Sequence, residues 1–332
     1  MNFSENVLTL RQNSILNGRY IIQKVLGQDA FGITYLARDY QTGSFVVIKE
    51  YCPEGIVHRT AAFVLLPVSS LAESTFMKGK RSFLREGKKL SELNRNPNIV
   101  SILETFEEHN TAYLTMEYVE GKTLSEYVRE RGGRLHWGEA LTLLLPVMEA
   151  LTSFHAMGIL HRNISPENIM VTPGREAMLL DFGAARYNTG ARSQSLDLIL
   201  NHGFAPCEQY MIYGEQGPWT DVYSMAATLY KVITGITPPD APDRLAGPDP
   251  LKRPSQAGAD IPDEYEEILL KALSGDSADR FQNMEDFIRS LQSGRIDVSQ
   301  NEEDVIIINF EDDEEDDGGG GSTIIRGQGG TG

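Results

Sequence analysis

Residues 158–185 read G-I-L-H-R-N-I-S-P-E-N-I-M-V-T-P-G-R-E-A-M-L-L-D-F-G-A-A. Two short apolar runs, Ile169-Met170-Val171 and Met178-Leu179-Leu180, flank a turn signal at Pro173-Gly174, which is the pattern of a tight β-hairpin. A polar residue stands at the open end of each run, Asn168 before the first and Asp181 after the second. Closing the hairpin brings those two side chains together. An amide oxygen beside a carboxylate makes a hard-oxygen site suited to Mg²⁺, above all where phosphate supplies further ligands.

The chain before this stretch is patterned differently from the chain after it. Residues 1–18 form a leader with little pattern. Residues 20–25 suit a strand, and L-G-Q-D-A-F-G-I-T-Y-L at 26–36 reads as strand, glycine-bearing turn, strand. S-F-V-V-I-K-E at 44–50 is a third strand ending on a lysine. Turn signals and one apolar run fill 51–72, the pattern of an irregular insertion. Phe83, Leu84, Leu90 and Leu93 recur at helical spacing within 76–93, and two further strands follow at 99–106 and 111–118. Thr123 is a candidate N-cap for a short helix. Long helical patterns then occupy 137–157, with Pro146 as a kink, and 221–234, 264–273 and 284–291. Strands first and helices after argue for an α+β fold with a small sheet-rich lobe at 19–118 and a larger helical lobe at 119–296.

Composition sets the outer bounds. A chain of 332 residues with 41% hydrophobic content buries a sizeable core. No apolar run is long enough to span a bilayer, and residues 1–11 lack a basic region followed by an apolar stretch, so no secretory signal is expected. The two cysteines, Cys52 and Cys207, read as reduced thiols in a cytoplasmic protein. Net charge is −17, of which residues 297–332 carry −10 (11 acidic residues against Arg326) and residues 1–296 the remaining −7. Neither part invites nucleic acid or an anionic membrane.

The stretch at 158–185 resembles the catalytic loop and metal motif of the eukaryotic-type protein kinases, H-R-D-x-x-x-x-N followed by D-F-G. His161, Arg162, Asn168 and Asp181-Phe182-Gly183 match it. The resemblance covers about residues 20–291. The fragments F-G-I-T-Y-L-A-R-D, I-K-E-Y-C-P, H-R-N-I-S-P-E-N and F-A-P-C-E-Q-Y are similar to those of bacterial serine/threonine kinases. The resemblance implies a bilobal fold that binds ATP and Mg²⁺ in its cleft, with Asn168 and Asp181 on the metal and a protein hydroxyl as acceptor.

On the nucleotide side, Gly27 and Gly32 match the glycine-rich loop, and Asp29 holds the middle glycine position. An aspartate there either adds a negative charge near the phosphates or points to solvent. Lys49 resembles the lysine that grips the α- and β-phosphates, and Glu86 its helix partner. Met116, Glu117 and Val119 fall on the hinge that holds the adenine edge, while Val47 and Met170 would sandwich the base.

Asn163 stands where the family has its catalytic aspartate. An amide accepts a hydrogen bond but takes no proton near neutral pH. Three explanations are open: a natural pseudokinase, a laboratory substitution, or a tolerated change in a weakly active enzyme. Asp29 beside it favours natural loss, so phosphotransfer is expected to be weak or absent. The rival reading is a pseudokinase scaffold that recruits signalling partners through its nucleotide pocket and acidic tail. Ser165 is a second departure, at a position where many such kinases carry lysine.

Thr189, Ser193 and Ser195 lie in a segment like the activation loop, with Arg162 as the receiver of a phosphate on it. Glu208 is expected to pair with Arg280, and Asp221 to brace the catalytic loop. Residues 297–332 read as a disordered acidic and glycine-rich tail. Its island Val305-Ile306-Ile307-Ile308 suits addition to a partner's sheet edge, and Thr323 suits a phosphothreonine-binding partner.

Overall fold

A computed structural model describes residues 8–91, 96–180, 200–211 and 213–296. Asp181-Phe182-Gly183, the activation-segment hydroxyls Thr189, Ser193 and Ser195, and the tail at 297–332 lie outside the described residues.

The N-terminal lobe is built from β1 (Ile15–Leu16), β2 (Tyr20–Gln28), β3 (Gly32–Asp39), β4 (Phe45–Tyr51), β5 (Val57–Arg59), β6 (Leu65–Pro67), α1 (Ser70–Ser91), β7 (Ile102–Glu108) and β8 (Thr111–Glu117). Among the described residues its main sheet is antiparallel, in the order β1-β2-β3-β4-β8-β7. The period of two in β3 puts Ile33, Tyr35 and Ala37 into the core. Val46 and Ile48 do the same from β4. Helix α1 buries Phe76, Phe83 and Leu90, one residue every two turns, together with Gly79 and Gly87 on the same face.

Residues 8–16 are part of this lobe, where the sequence reads only as a leader. Leu10 and Leu16 are buried, and Ile15 pairs with Ile21 in the sheet. The tie is polar as well as apolar. Arg59 Nε donates to the Leu8 carbonyl, and Leu10 N donates to the Tyr35 hydroxyl at 3.1 Å. The insertion at 51–72 resolves into the hairpin β5–β6.

The C-terminal lobe comprises β9 (Lys122–Thr123), α2 (Leu124–Glu130), α3 (Trp137–His155), β10 (Ile169–Val171), β11 (Ala177–Leu179), α4 (Pro218–Thr234), α5 (Ala241–Leu245), α6 (Asp263–Ala272) and α7 (Met284–Ser293). Thr123 does cap α2, in a reciprocal box with Glu126. Helix α3 runs through Pro146. Helix α4 is buried along nearly its whole length and packs against α3, α6 and α7. The lobes meet where Val100 N donates to the Leu179 carbonyl at 2.9 Å and Leu179 N to the Asn98 carbonyl at 2.8 Å. Among the described residues no helix is long and apolar enough to cross a membrane.

Candidate active site

The hairpin β10–β11 pairs Ile169 with Leu179 and Val171 with Ala177, one residue earlier on the second strand than the apolar run suggests. At its open end Leu180 N donates to the Asn168 carbonyl at 2.8 Å. This sets Asn168 beside the residue that precedes Asp181. The Asn168 side-chain nitrogen donates to the Asn163 carbonyl at 2.8 Å, which leaves Oδ1 as the acceptor of that amide. Among the described residues no group of three or more His, Cys, Asp or Glu could hold a metal. The other expected ligand, Asp181, lies outside them.

The loop at 161–163 is held from beneath by Asp221 on α4. Its Oδ2 accepts from His161 N at 2.8 Å and from His155 Nε2 at 2.8 Å, and its Oδ1 accepts from Arg162 N at 2.7 Å. Burial pushes this carboxyl up, but His155, His161 and the Arg162 N–H outweigh it and hold it below the usual range. Arg162 adopts φ +65°, a left-handed conformation that strains a non-glycine residue unless its surroundings fix it. The Asp221 bond on one side and Gln209 Nε2 donating to the Arg162 carbonyl at 3.1 Å on the other do so. His161 Nδ1 accepts from Asn163 N at 3.3 Å, which places the ring proton on Nε2, where it donates to the Leu180 carbonyl at 2.8 Å. One imidazole thus ties the catalytic loop to the end of the hairpin.

Asn163 presents its side-chain oxygen to Asn201, whose Nδ2 donates to it at 3.5 Å. Asn201 is not a candidate by sequence: its partner is 38 residues away and nothing in its surroundings forms a pattern. His155 and Gln209 give no signal for the same reason. Ser165 is fully buried, its carbonyl accepting from Asn168 N at 3.0 Å, and its hydroxyl has no partner among the described residues. Its backbone carbonyl thus closes the loop onto Asn168.

In the small lobe Lys49 is buried on β4, opposite Thr34 of β3 and Leu114 of β8. Its expected ion pair with Glu86 is not among those of the described residues. Instead Lys49 Nζ lies 3.4 Å from Asp29 Oδ2. Glu86 accepts from the Ser82 hydroxyl at 3.4 Å. Burial raises its carboxyl above the usual range, against the pull of Arg162, Ser82, Arg85 and Lys89. Burial likewise lowers Arg162, against the pull of Glu86 and Asp221. The arginine expected to await a phosphate from the activation segment is half-buried, near enough to Glu86 of α1 for the two charges to act on each other. Each half of the expected pair has another counter-charge: the lysine the turn above it, the glutamate the catalytic loop.

The Asp29 side chain is half-exposed and folds back on its own turn. Its Oδ1 accepts from Phe31 N at 2.7 Å and Gly32 N at 2.8 Å. Gly32 is demanded by packing, since a Cβ there would sit 2.2 Å from the Glu50 carbonyl, whereas a Cβ on Gly27 would meet nothing within 4 Å. Beside Lys49, Glu50 is fully buried and accepts from Tyr35 at 2.8 Å, Tyr113 at 2.7 Å and Arg59 at 2.6 Å. Val47 on β4 stands opposite Met116 on β8. Met116 is buried, Glu117 accepts from Ser101 N at 2.8 Å, and Val119 packs on the core edge. Met170 is half-buried on β10 opposite Thr123.

A sheet-rich lobe bearing a buried lysine, a helical lobe bearing a braced H-R-x loop, and a hairpin carrying an asparagine between them define the protein kinase class. The chain belongs to the protein kinase domain family, which it matches over residues 20–285. It is 29% identical over 86% of its length to serine/threonine-protein kinase F of Synechocystis. The identity is also 29%, over 82% of its length, to serine/threonine-protein kinase PrkC of Bacillus subtilis. To serine/threonine-protein kinase PknB of Mycolicibacterium smegmatis it is 30% over 80%. The matches span 57%, 40% and 41% of those relatives, respectively. The solved structure of PpkA-294 in its apo form superposes with a TM-score of 0.74 at 31% identity, covering 86% of this chain and 99% of that one.

Proposed function

We propose that this chain is a serine/threonine-type protein kinase domain of the cytoplasm that binds ATP with Mg²⁺ and transfers phosphate to protein hydroxyls weakly or not at all. The observation that carries the reading is Asn163 on a loop that keeps His161, Arg162 and Asn168. Asp221 and His161 hold that loop in shape, and at the position facing an acceptor hydroxyl it presents an amide that can accept a hydrogen bond but not a proton. Lys49 would meet the phosphates, and Asn168 with Asp181 would hold the metal. Met116, Glu117, Val119, Val47 and Met170 would line the adenine. Bound Mg²⁺ supplies charge neutralisation on the phosphates during transfer. The chain's own residues orient the acceptor at Asn163 and hold the loop rigid.

The scaffold reading has its own support in the displaced ion pair of Lys49 with Asp29, which leaves Glu86 with Arg162 as a nearby charge. Both readings are separated by transfer of label from γ-labelled ATP to a generic protein substrate, measured for the chain and for Asn163→Asp. Restoring the base is expected to raise the rate by about 10²–10⁴. A silent Asn163→Asp variant that still binds nucleotide means a scaffold. No rise in melting temperature with ATP at any Mg²⁺ concentration would sink nucleotide binding itself.

A further inference from the structure

The turn between β2 and β3 holds a carboxylate where a nucleotide phosphate would be expected to lie. Asp29 gathers three donors of the kinds that bind phosphate: the backbone N–H groups of Phe31 and Gly32, at 2.7 and 2.8 Å, and the ammonium of Lys49, at 3.4 Å. Consecutive loop amides with a lysine nearby make an anion site in any fold. Here the chain's own side chain answers that site. The lysine is fixed, its side chain 5% exposed, while the Asp29 side chain is 49% exposed. The carboxylate therefore has room to leave and the ammonium has none.

Resting on the nucleotide reading above, we propose that Asp29 is an internal stand-in for nucleotide phosphate, and so sets the site's preference along the series adenosine, ADP, ATP. A ligand's phosphate must displace the carboxylate from Lys49 and from the two amides, and it then meets a negative charge half-exposed at the loop. The adenine and ribose do not compete with it. The chain therefore gains little affinity from each added phosphate, where a glycine at this position would bring no competing carboxylate to those donors.

Two substitutions separate charge from turn. In Asp29→Asn the side-chain oxygen still accepts from Phe31 and Gly32, but the charge toward Lys49 is gone. Asp29→Gly removes the carboxylate from all three donors. Affinities for adenosine, ADP and ATP, each with Mg²⁺, are measured by calorimetry on the full chain and both variants, with melting temperatures as a folding control. Asp29→Asn is expected to tighten ATP roughly tenfold, the scale of one charge-assisted contact, with adenosine unchanged. Asp29→Gly is expected to tighten ATP at least as much. Unchanged ATP affinity in both variants overturns the proposal, as does weaker ATP binding in Asp29→Asn or a parallel shift in adenosine. If the parent binds ATP and the variants bind it no better, this inference alone falls. If neither parent nor variants bind any of the three, the nucleotide reading falls and takes it along.

Discussion

Two carboxylates on described residues control the catalytic loop and the glycine-rich turn, and both do it by accepting from backbone N–H groups. Asp221 takes those of His161 and Arg162, and Asp29 those of Phe31 and Gly32. The first is buried completely, so its removal leaves two N–H groups and the His155 ring without an acceptor. Each such orphan costs about 1–3 kcal/mol. Asp221→Ala is therefore expected to lower unfolding free energy by at least ~3 kcal/mol, read from urea denaturation, with the loss largest in protection of the amides at 161 and 162 in hydrogen exchange. Asp221 is legible in the sequence because its place follows from the motif. The roles of His155, Gln209 and Asn201 are not, since each makes a long-range contact that no local spacing announces. Nor is Lys49's choice between Asp29 and Glu86, which depends on how α1 sits over the sheet.

Among the elements, strands and helices with a clear period lie within about three residues of the bounds their sequence suggests, except α1, which begins at Ser70, inside the stretch read as an irregular insertion. The hairpin β10–β11 and the capped α2 agree within a residue or two, because turn chemistry and capping are local. The segment at 8–16 is illegible because two buried leucines, Leu10 and Leu16, make no period, and its polar ties run to Tyr35 and Arg59. Strand β4 ends against Cys52, which lies beneath the glycine-rich turn and donates its N–H to the Phe31 carbonyl at 2.8 Å. Burial pushes its thiol up to about 12, with Glu50 adding to the rise. The folded state thus keeps its proton where the unfolded chain releases it. The thiol's contribution to stability falls as pH rises from its ordinary value, about 8.5, toward 12. The thiolate is the reactive form, so at about pH 8 Cys52 is expected to resist alkylation in the native protein and to label promptly in urea. Mass spectrometry of the peptide bearing Cys52 checks it, and rapid native labelling would refute the packing of β4 against the turn.

Over the whole molecule, the large lobe is pinned across 72 residues of chain by Arg280 and Glu208, whose two hydrogen bonds measure 2.8 and 3.1 Å. Thr220 donates to the same carboxylate at 2.9 Å, and Arg280 also donates to the Ser274 and Gly275 carbonyls. The arginine is buried and the glutamate nearly so. Arg280→Met strands the carboxylate, and a stability loss of about 3–5 kcal/mol is expected by thermal or urea unfolding. Asn163→Asp should leave this pin untouched, so its melting temperature should stay near the parent's even as label transfer rises.

The segment at 8–16 has a grip on the neighbour of Lys49. Glu50 follows Lys49 directly and is clasped by Tyr35, Tyr113 and Arg59, while Arg59 and Tyr35 also hold the backbone of Leu8 and Leu10. The opening segment is thus a tether on the strand that carries Lys49. A protease cut anywhere along it would slacken that strand from behind, without touching any of the residues proposed to meet nucleotide.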